Sequence, residues 1–96
     1  MRPNKPWSIR IKPSAEAEVR GLPKGPKAAF RRTLLEIAED PLHVAGQRAF
    51  RGFRDAYIVN FYVSYRLVFQ VFRRARRVEI IAATHRDSVY RGLPDA

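Results

Sequence analysis

The 96 residues are enough for one domain with a modest core and too few for two, and an apolar content of 46% is that of a chain that folds. Cysteine is absent and the two histidines, His43 and His85, have no cluster of carboxylates beside them, which excludes a disulfide framework, a cysteine nucleophile and a metal centre. Nineteen lysines and arginines against nine acids give a net charge of +10, and from Arg48 onward every cation is an arginine, the side chain that forks onto phosphate in two-point geometry, so the expected partner is a polyanion.

The opening Met1-Arg2-Pro3-Asn4-Lys5-Pro6 lacks the apolar run of a signal peptide. The most apolar stretch, residues 65–72, is too short to span a bilayer and is interrupted by Arg66 and Gln70. A cytoplasmic protein with no membrane association is the expectation. Residues 7–12 alternate apolar and polar side chains, the pattern of a half-buried strand. Pro13 and Ser14 open a short helix with Ala15 and Val19 on one face, and Gly21 ends it in an expected left-handed cap before Leu22-Pro23. Lys24-Gly25-Pro26 starts a longer helix whose Phe30, Leu34, Ile37 and Ala38 recur at helical spacing, until Asp40 before Pro41 stops it near Glu39. The pair forms a helical hairpin with one apolar side.

After a loop over residues 42–46 come four strand-like stretches, residues 47–51, 56–61, 65–72 and 78–84, joined by short connections that predict sequential antiparallel hairpins. Residues 86–92 read as a closing helical turn. The fold class is therefore α+β, a single domain over residues 1–96: an N-terminal strand, a helical hairpin, then an antiparallel sheet of about four strands with the helices packed on one face.

Alternation assigns the two faces of that sheet. Tyr65, Leu67, Phe69 and Val71 turn toward the helices, together with Tyr57, Val59, Phe61, Val78, Ile80 and Ala82. The other side, expected to be open, carries Ile58, Asn60, Arg66, Val68, Gln70, Phe72, Glu79, Ile81, Ala83 and His85. A three-residue turn at 62–64 puts Asn60 opposite Arg66, and a four-residue turn at 73–76 puts Arg66 opposite Ala83, close to His85. Asn60, Arg66 and His85 then share one cationic patch, with Glu79 several residues away. A slip of one residue in the last strand exchanges His85 for Arg86 there. An arginine inside so apolar a strand costs stability unless its open face has a task, which singles out Arg66.

The run Val63-Ser64-Tyr65-Arg66-Leu67-Val68-Phe69-Gln70-Val71, followed by the apolar residues 78–82 and by Thr84-His85-Arg86-Asp87-Ser88-Val89-Tyr90, resembles the RelE family of toxins. In that family a "YRLVYQV" strand, an apolar strand and an "HRxxVY"-like ending follow in this order. The opening strand, residues 15–23 with Glu18 and Gly21-Leu22-Pro23, the helix end at Asp40-Pro41 and Phe50-Arg51-Gly52 match as well, so the resemblance covers nearly the whole chain. It implies the toxin of a type II toxin–antitoxin pair, a ribosome-dependent endoribonuclease that works without a cofactor. In such an enzyme the 2′-hydroxyl of the messenger attacks the adjacent phosphate, giving a cyclic phosphate and a 5′-hydroxyl. The implied partners are a cognate antitoxin, the ribosome and mRNA; the oligomeric state stays open, a heterotetramer with the antitoxin being one arrangement.

Carried over residue by residue, the resemblance makes Arg66 the stabiliser of the transition-state phosphate. Arg86 has the same role or assists the leaving group, and Tyr90 stacks on or orients an RNA base. Two lysines on the strand before the "YR" motif are replaced here by Ile58 and Asn60, neither of which can take a proton. His85, an imidazole able to exchange a proton near neutral pH, is the candidate for that task, and capping of the strand end is its competing role. Asn60, Arg51 and the turn arginines Arg73, Arg74, Arg76 and Arg77 are candidate RNA contacts, the turn being alternatively a solvated one. The same fold also carries ParE-like toxins that inhibit DNA gyrase without enzymatic activity. Arg66 and the chain ending favour the nuclease, Ile58 and Asn60 the inhibitor, and a nucleic-acid-binding domain without toxic action is a third reading.

Overall fold

The computed structural model of the protein describes residues 5–88. Strand β1 (Ser8–Ile11) leads into helix α1 (Pro13–Arg20) and helix α2 (Lys24–Glu39). Proline within the first turn of α1 needs no hydrogen-bond partner for the N–H it lacks, and the helix closes on Gly21, whose N–H donates to Ala17 and Glu18 carbonyls at 3.2 and 3.1 Å. The expected left-handed cap is not formed. Gly21 stays right-handed at φ −87°, because these two bonds already use its N–H within the helical turn. Asp40 leaves the helical conformation at φ −156° and ψ 84° and ends α2, and a single 3₁₀ turn over Pro41–His43 follows.

Four further strands complete one five-stranded sheet: β2 (Arg48–Ala49), β3 (Ala56–Tyr62), β4 (Tyr65–Phe72) and β5 (Arg77–His85), in the order β1-β5-β4-β3-β2. The later strands are antiparallel neighbours as expected, whereas β1 lies parallel to β5, with Ser8 opposite Arg77. The Trp7 N–H reaches the carbonyl of Ala38 at 2.8 Å, so the end of α2 also anchors the first strand. The stretch expected as a strand over 47–51 pairs only at Arg48 and Ala49.

Helices α1 and α2 cover one face of the sheet, over a core that includes Ala15, Ala29, Phe30 and Ile37 from the helices. Val59, Phe61, Leu67, Phe69, Val71, Val78 and Ile80 complete it from the strands, as alternation assigned them. The opposite face is not open along its length. Phe50 and Phe53, their rings stacked 6.2 Å apart, lie over it, and Ile58, Val68, Ile81 and Ala82 are buried there with Ala56. The large apolar side chains that face away from the helices thus have a cover of their own, which removes them from water. Among the described residues no helix is long and apolar enough to cross a membrane.

Candidate nucleic-acid interface

Two irregularities place the polar end of this second face. The β3–β4 connection leaves only Val63 and Ser64 unpaired, Ser64 taking a left-handed φ of 65°, because Tyr62 pairs with Tyr65. That shorter turn alone would shift the register, but a bulge between Asn60 and Tyr62 absorbs one residue, and Asn60 ends up opposite Arg66 after all. The four-residue turn at 73–76 forms as expected, with Phe72 opposite Arg77. A second bulge then intervenes: Phe69 pairs with Ile80 but Val68 pairs with Ala82, so Ile81 is the extra residue.

This bulge corrects the expected patch. Arg66 faces Thr84 rather than Ala83, and His85 pairs with Tyr65, on the helix side of the sheet. Ala83 accordingly joins the helix-side core in place of Ala82. His85 does not share a face with Arg66. Its ring meets Tyr65 edge-on at 5.4 Å, and its Nδ1 accepts the Asp87 N–H at 3.1 Å. The Asp87 carboxylate also lies 3.5 Å from Nδ1, but a nitrogen that accepts the backbone N–H has no proton for that oxygen, and the shorter contact defines the arrangement. This is the strand-end capping role.

Asn60, Arg66 and Thr84 therefore form a row across β3, β4 and β5, with neighbouring Cβ atoms about 5 Å apart as in any directly paired strands. Arg86 follows His85, where β5 ends, as the first residue of a turn, its N–H bonded to the Ser64 carbonyl at 2.7 Å. Arg48, missed in the sequence reading, pairs with Ile58 and stands diagonal to Asn60; the alternation of residues 47–51 already carried that signal. Among the described residues Arg66 has no hydrogen bond or ion pair, and its nearest cross-strand partners, Asn60 and Thr84, carry no charge. Arg86 has only a 3.7 Å contact to exposed Asp87. Glu79 sits opposite Gln70, four positions along β4, between Arg10 and Arg77. Tyr90 lies outside the described residues.

Ile58, one of the two positions where the resemblance expects lysine, is 3% exposed beneath the Phe50–Phe53 cover. Asn60, the other, is exposed. A side chain that sequence reasoning left without a role holds β5 in place. Glu18 on α1 accepts the Ala83 N–H at 2.9 Å, where β1 has already ended opposite Ile80 and can supply no acceptor.

The turn arginines divide. Arg73 forks onto Asp55 at 2.8 and 3.0 Å, Arg76 donates to the Lys5 carbonyl and lies 4.7 Å over the Trp7 ring, and Arg77 lies 4.8 Å over Phe72. Arg74 and Arg51 are exposed and make no such contacts. Asp55 also accepts the Tyr57 hydroxyl at 2.7 Å. The Arg73 hydrogen bond holds the Asp55 carboxyl below its ordinary range, and the bond to Asp55, with burial, pushes the Tyr57 hydroxyl up.

No family model matches the sequence, and no curated protein matches it. Solved structures do. The isolated E. coli RelE toxin superposes with a TM-score of 0.70 at 28% identity, over 82% of this chain and 83% of that one. The toxin–antitoxin complex RelBE of E. coli gives 0.72 at 28% identity over 82% and 95%, and the archaeal RelE–RelB complex of Pyrococcus horikoshii 0.71 at 17% over 83% and 94%. Two helices on a five-stranded mixed sheet, in this order, make the architecture of the chain that of the RelE toxins.

Proposed function

We propose that the protein is the toxin of a type II toxin–antitoxin pair and an endoribonuclease that cleaves mRNA on the ribosome. The likeness to RelE, both alone and in complex with its antitoxin, supports the toxin reading and an antitoxin as partner. The observation that carries the nuclease reading is the unpaired, half-buried Arg66, flanked by the uncharged Asn60 and Thr84 and followed in the chain by Arg86, whose one acidic neighbour, Asp87, is exposed. Phosphate in the plane of this row meets two guanidinium groups, which are suited to the charge that develops when a 2′-hydroxyl attacks it. Arg66 stabilises that charge, Arg86 attends the leaving oxygen, Asn60 and Arg48 orient the strand, and Tyr90 is assigned the base. Arg51 and Arg74 are free to hold flanking phosphates, whereas Arg73, Arg76 and Arg77 serve the fold first.

With His85 turned to Tyr65, the row itself offers no proton acceptor, so the base is water, the ribosome or a group near the chain end. Cleavage by this protein is then carried by charge and orientation, and is slower than in relatives that keep both lysines. The same observation supports a second reading, a ParE-like toxin that inhibits gyrase by binding alone. Primer extension on a messenger translated in vitro, with wild type and Arg66→Ala side by side, separates them. Cuts within codons that need ribosomes and fall by at least about 100-fold in the variant are expected. Equal cutting by a folded Arg66→Ala protein removes the proposed role, and growth arrest without cuts favours gyrase inhibition.

A further inference from the structure

We infer that the far end of the same sheet face carries a second RNA contact, a groove that takes one unpaired nucleotide. The inference rests on RNA being the ligand, as proposed above, but not on cleavage. The groove lies between the loop before β3 and the β4–β5 turn and has a volume of about 350 Å³, at the small end of the roughly 300–1,000 Å³ of ligand sites. Phe72 faces it, six residues along β4 from Arg66, about 20 Å at the usual rise per residue, so the two places cannot contact the same phosphate.

The lining has the composition that single-stranded nucleic acid needs: an apolar, aromatic interior with cations on the rim. Phe72 and Ala75 supply the interior, bordered by Val71, whose side chain packs in the helix-side core. Arg54 and Arg74 are exposed, and their guanidinium groups have no partner among the described residues. Arg77 lies over Phe72 at 4.8 Å, a guanidinium–aromatic stack that a base can extend, and its Nε is buried without a hydrogen bond, since Glu79 at 3.4 Å is out of line. The one acid on the lining, Asp55, is already neutralised by the two-pronged Arg73 bond and does not repel a phosphate. Two free guanidinium groups beside a flat apolar surface suit a phosphate next to a base better than they suit an acidic peptide, whose carboxylates have no use for the ring.

Fluorescence anisotropy with a labelled single-stranded 2′-O-methyl RNA, which cannot be cut through its 2′-oxygen, tests this on the full chain. The charge-reversed double variant Arg54→Glu/Arg74→Glu alters only exposed side chains, and the Arg54 carbonyl keeps its bond to Gln70. It is expected to weaken binding by about 10-fold or more and to lower the salt slope by about 1.4, two single-strand phosphate contacts. Phe72→Leu keeps apolar bulk but removes the ring, with an expected loss of about 5-fold or more. Unchanged binding in both variants overturns the inference. A loss with the arginines but none with Phe72→Leu reduces the groove to a phosphate contact and also overturns it. So does an acidic peptide that outcompetes the RNA for the groove in an Arg54- and Arg74-dependent way. Absence of ribosome-dependent cuts by the wild-type protein, while both groove variants weaken binding, would sink the nuclease assignment and leave this one standing; the reverse pattern would do the opposite.

Discussion

At the residue scale, positions 58 and 60 are where this chain departs from the pattern that the resemblance implies. Both were expected on an open face. Ile58 instead lies under Phe50 and Phe53, where an ammonium group would be desolvated with no acid to pair it. Ile58→Lys is therefore expected to lower stability by about 3 kcal/mol or more and not to raise cleavage, whereas Asn60→Lys adds an exposed cation beside Arg66 at a cost below about 1 kcal/mol. Urea melts of both variants, with cleavage assayed beside them, check this; a stable Ile58→Lys protein would contradict the burial argument. Asp55 belongs to the same scale. Its carboxyl is held below the ordinary range by Arg73, so it contributes stability above the unfolded-state value near 3.9 that disappears as pH falls through the folded-state value. Asp55→Asn should flatten the loss of thermal stability below about pH 4, while a parallel curve for the two proteins would show the pair to be inert.

At the scale of elements, the strands and helices were legible because each carries its own period. Residues 13–39 repeat at helical spacing around Phe30 and Ile37, and β4 sets Tyr65, Leu67, Phe69 and Val71 on one side with the polar Arg66 and Gln70 on the other. The bulge at Ile81 was not legible. Val78, Ile80, Ile81, Ala82 and Ala83 are all apolar, so no polar residue marks where β5 changes face. Its effect reaches the site, since it sends His85 to the helix side and brings Thr84 opposite Arg66. The Asn60–Arg66 pairing was reached in the sequence with the wrong turn length, and a compensating bulge beside Phe61 restored it. The cover over the second face did have a signal, Phe50 and Phe53 in a stretch otherwise made of arginine and glycine, and two aromatic residues there are more than a loop requires.

The hold on β5 is also an element-scale property. Glu18 stands in for a strand at the Ala83 N–H, so Glu18→Ala strands a part-buried donor at a cost of about 1–3 kcal/mol. Glu18→Gln keeps an acceptor oxygen and should retain most of the stability. Amide exchange at Ala83 is expected to speed up in the alanine variant and stay near wild type in the glutamine one. Equal protection in all three proteins would mean the bond does not hold the strand.

Across the whole molecule, charge and topology act together. The net charge of +10 is not spread evenly: Asp55 and Glu79 are engaged by arginines near the β4–β5 turn, while Arg48, Arg66 and Arg86 at the other end have no buried acid among them. The sheet closes only when β5 inserts between β4 and β1, and Ser8 bonds Arg76 across 68 positions of sequence. A chain ended after Arg76 would lack the strand that supplies Val78 and Ile80 to one core and Ile81 to the other. Such a fragment is expected to be digested by protease under conditions that leave the full chain intact, and a resistant, sheet-containing fragment would contradict this dependence.

That closure has a consequence during synthesis. A ribosome releases the chain from its first residue to its last, so β1 emerges early and waits unpaired while β2, β3 and β4 follow. Its parallel neighbour is the last strand made, and the row at Arg66 has its third side, Thr84, only once that strand has left the exit tunnel. A nascent chain therefore has no complete Asn60–Arg66–Thr84 row until its synthesis is nearly finished.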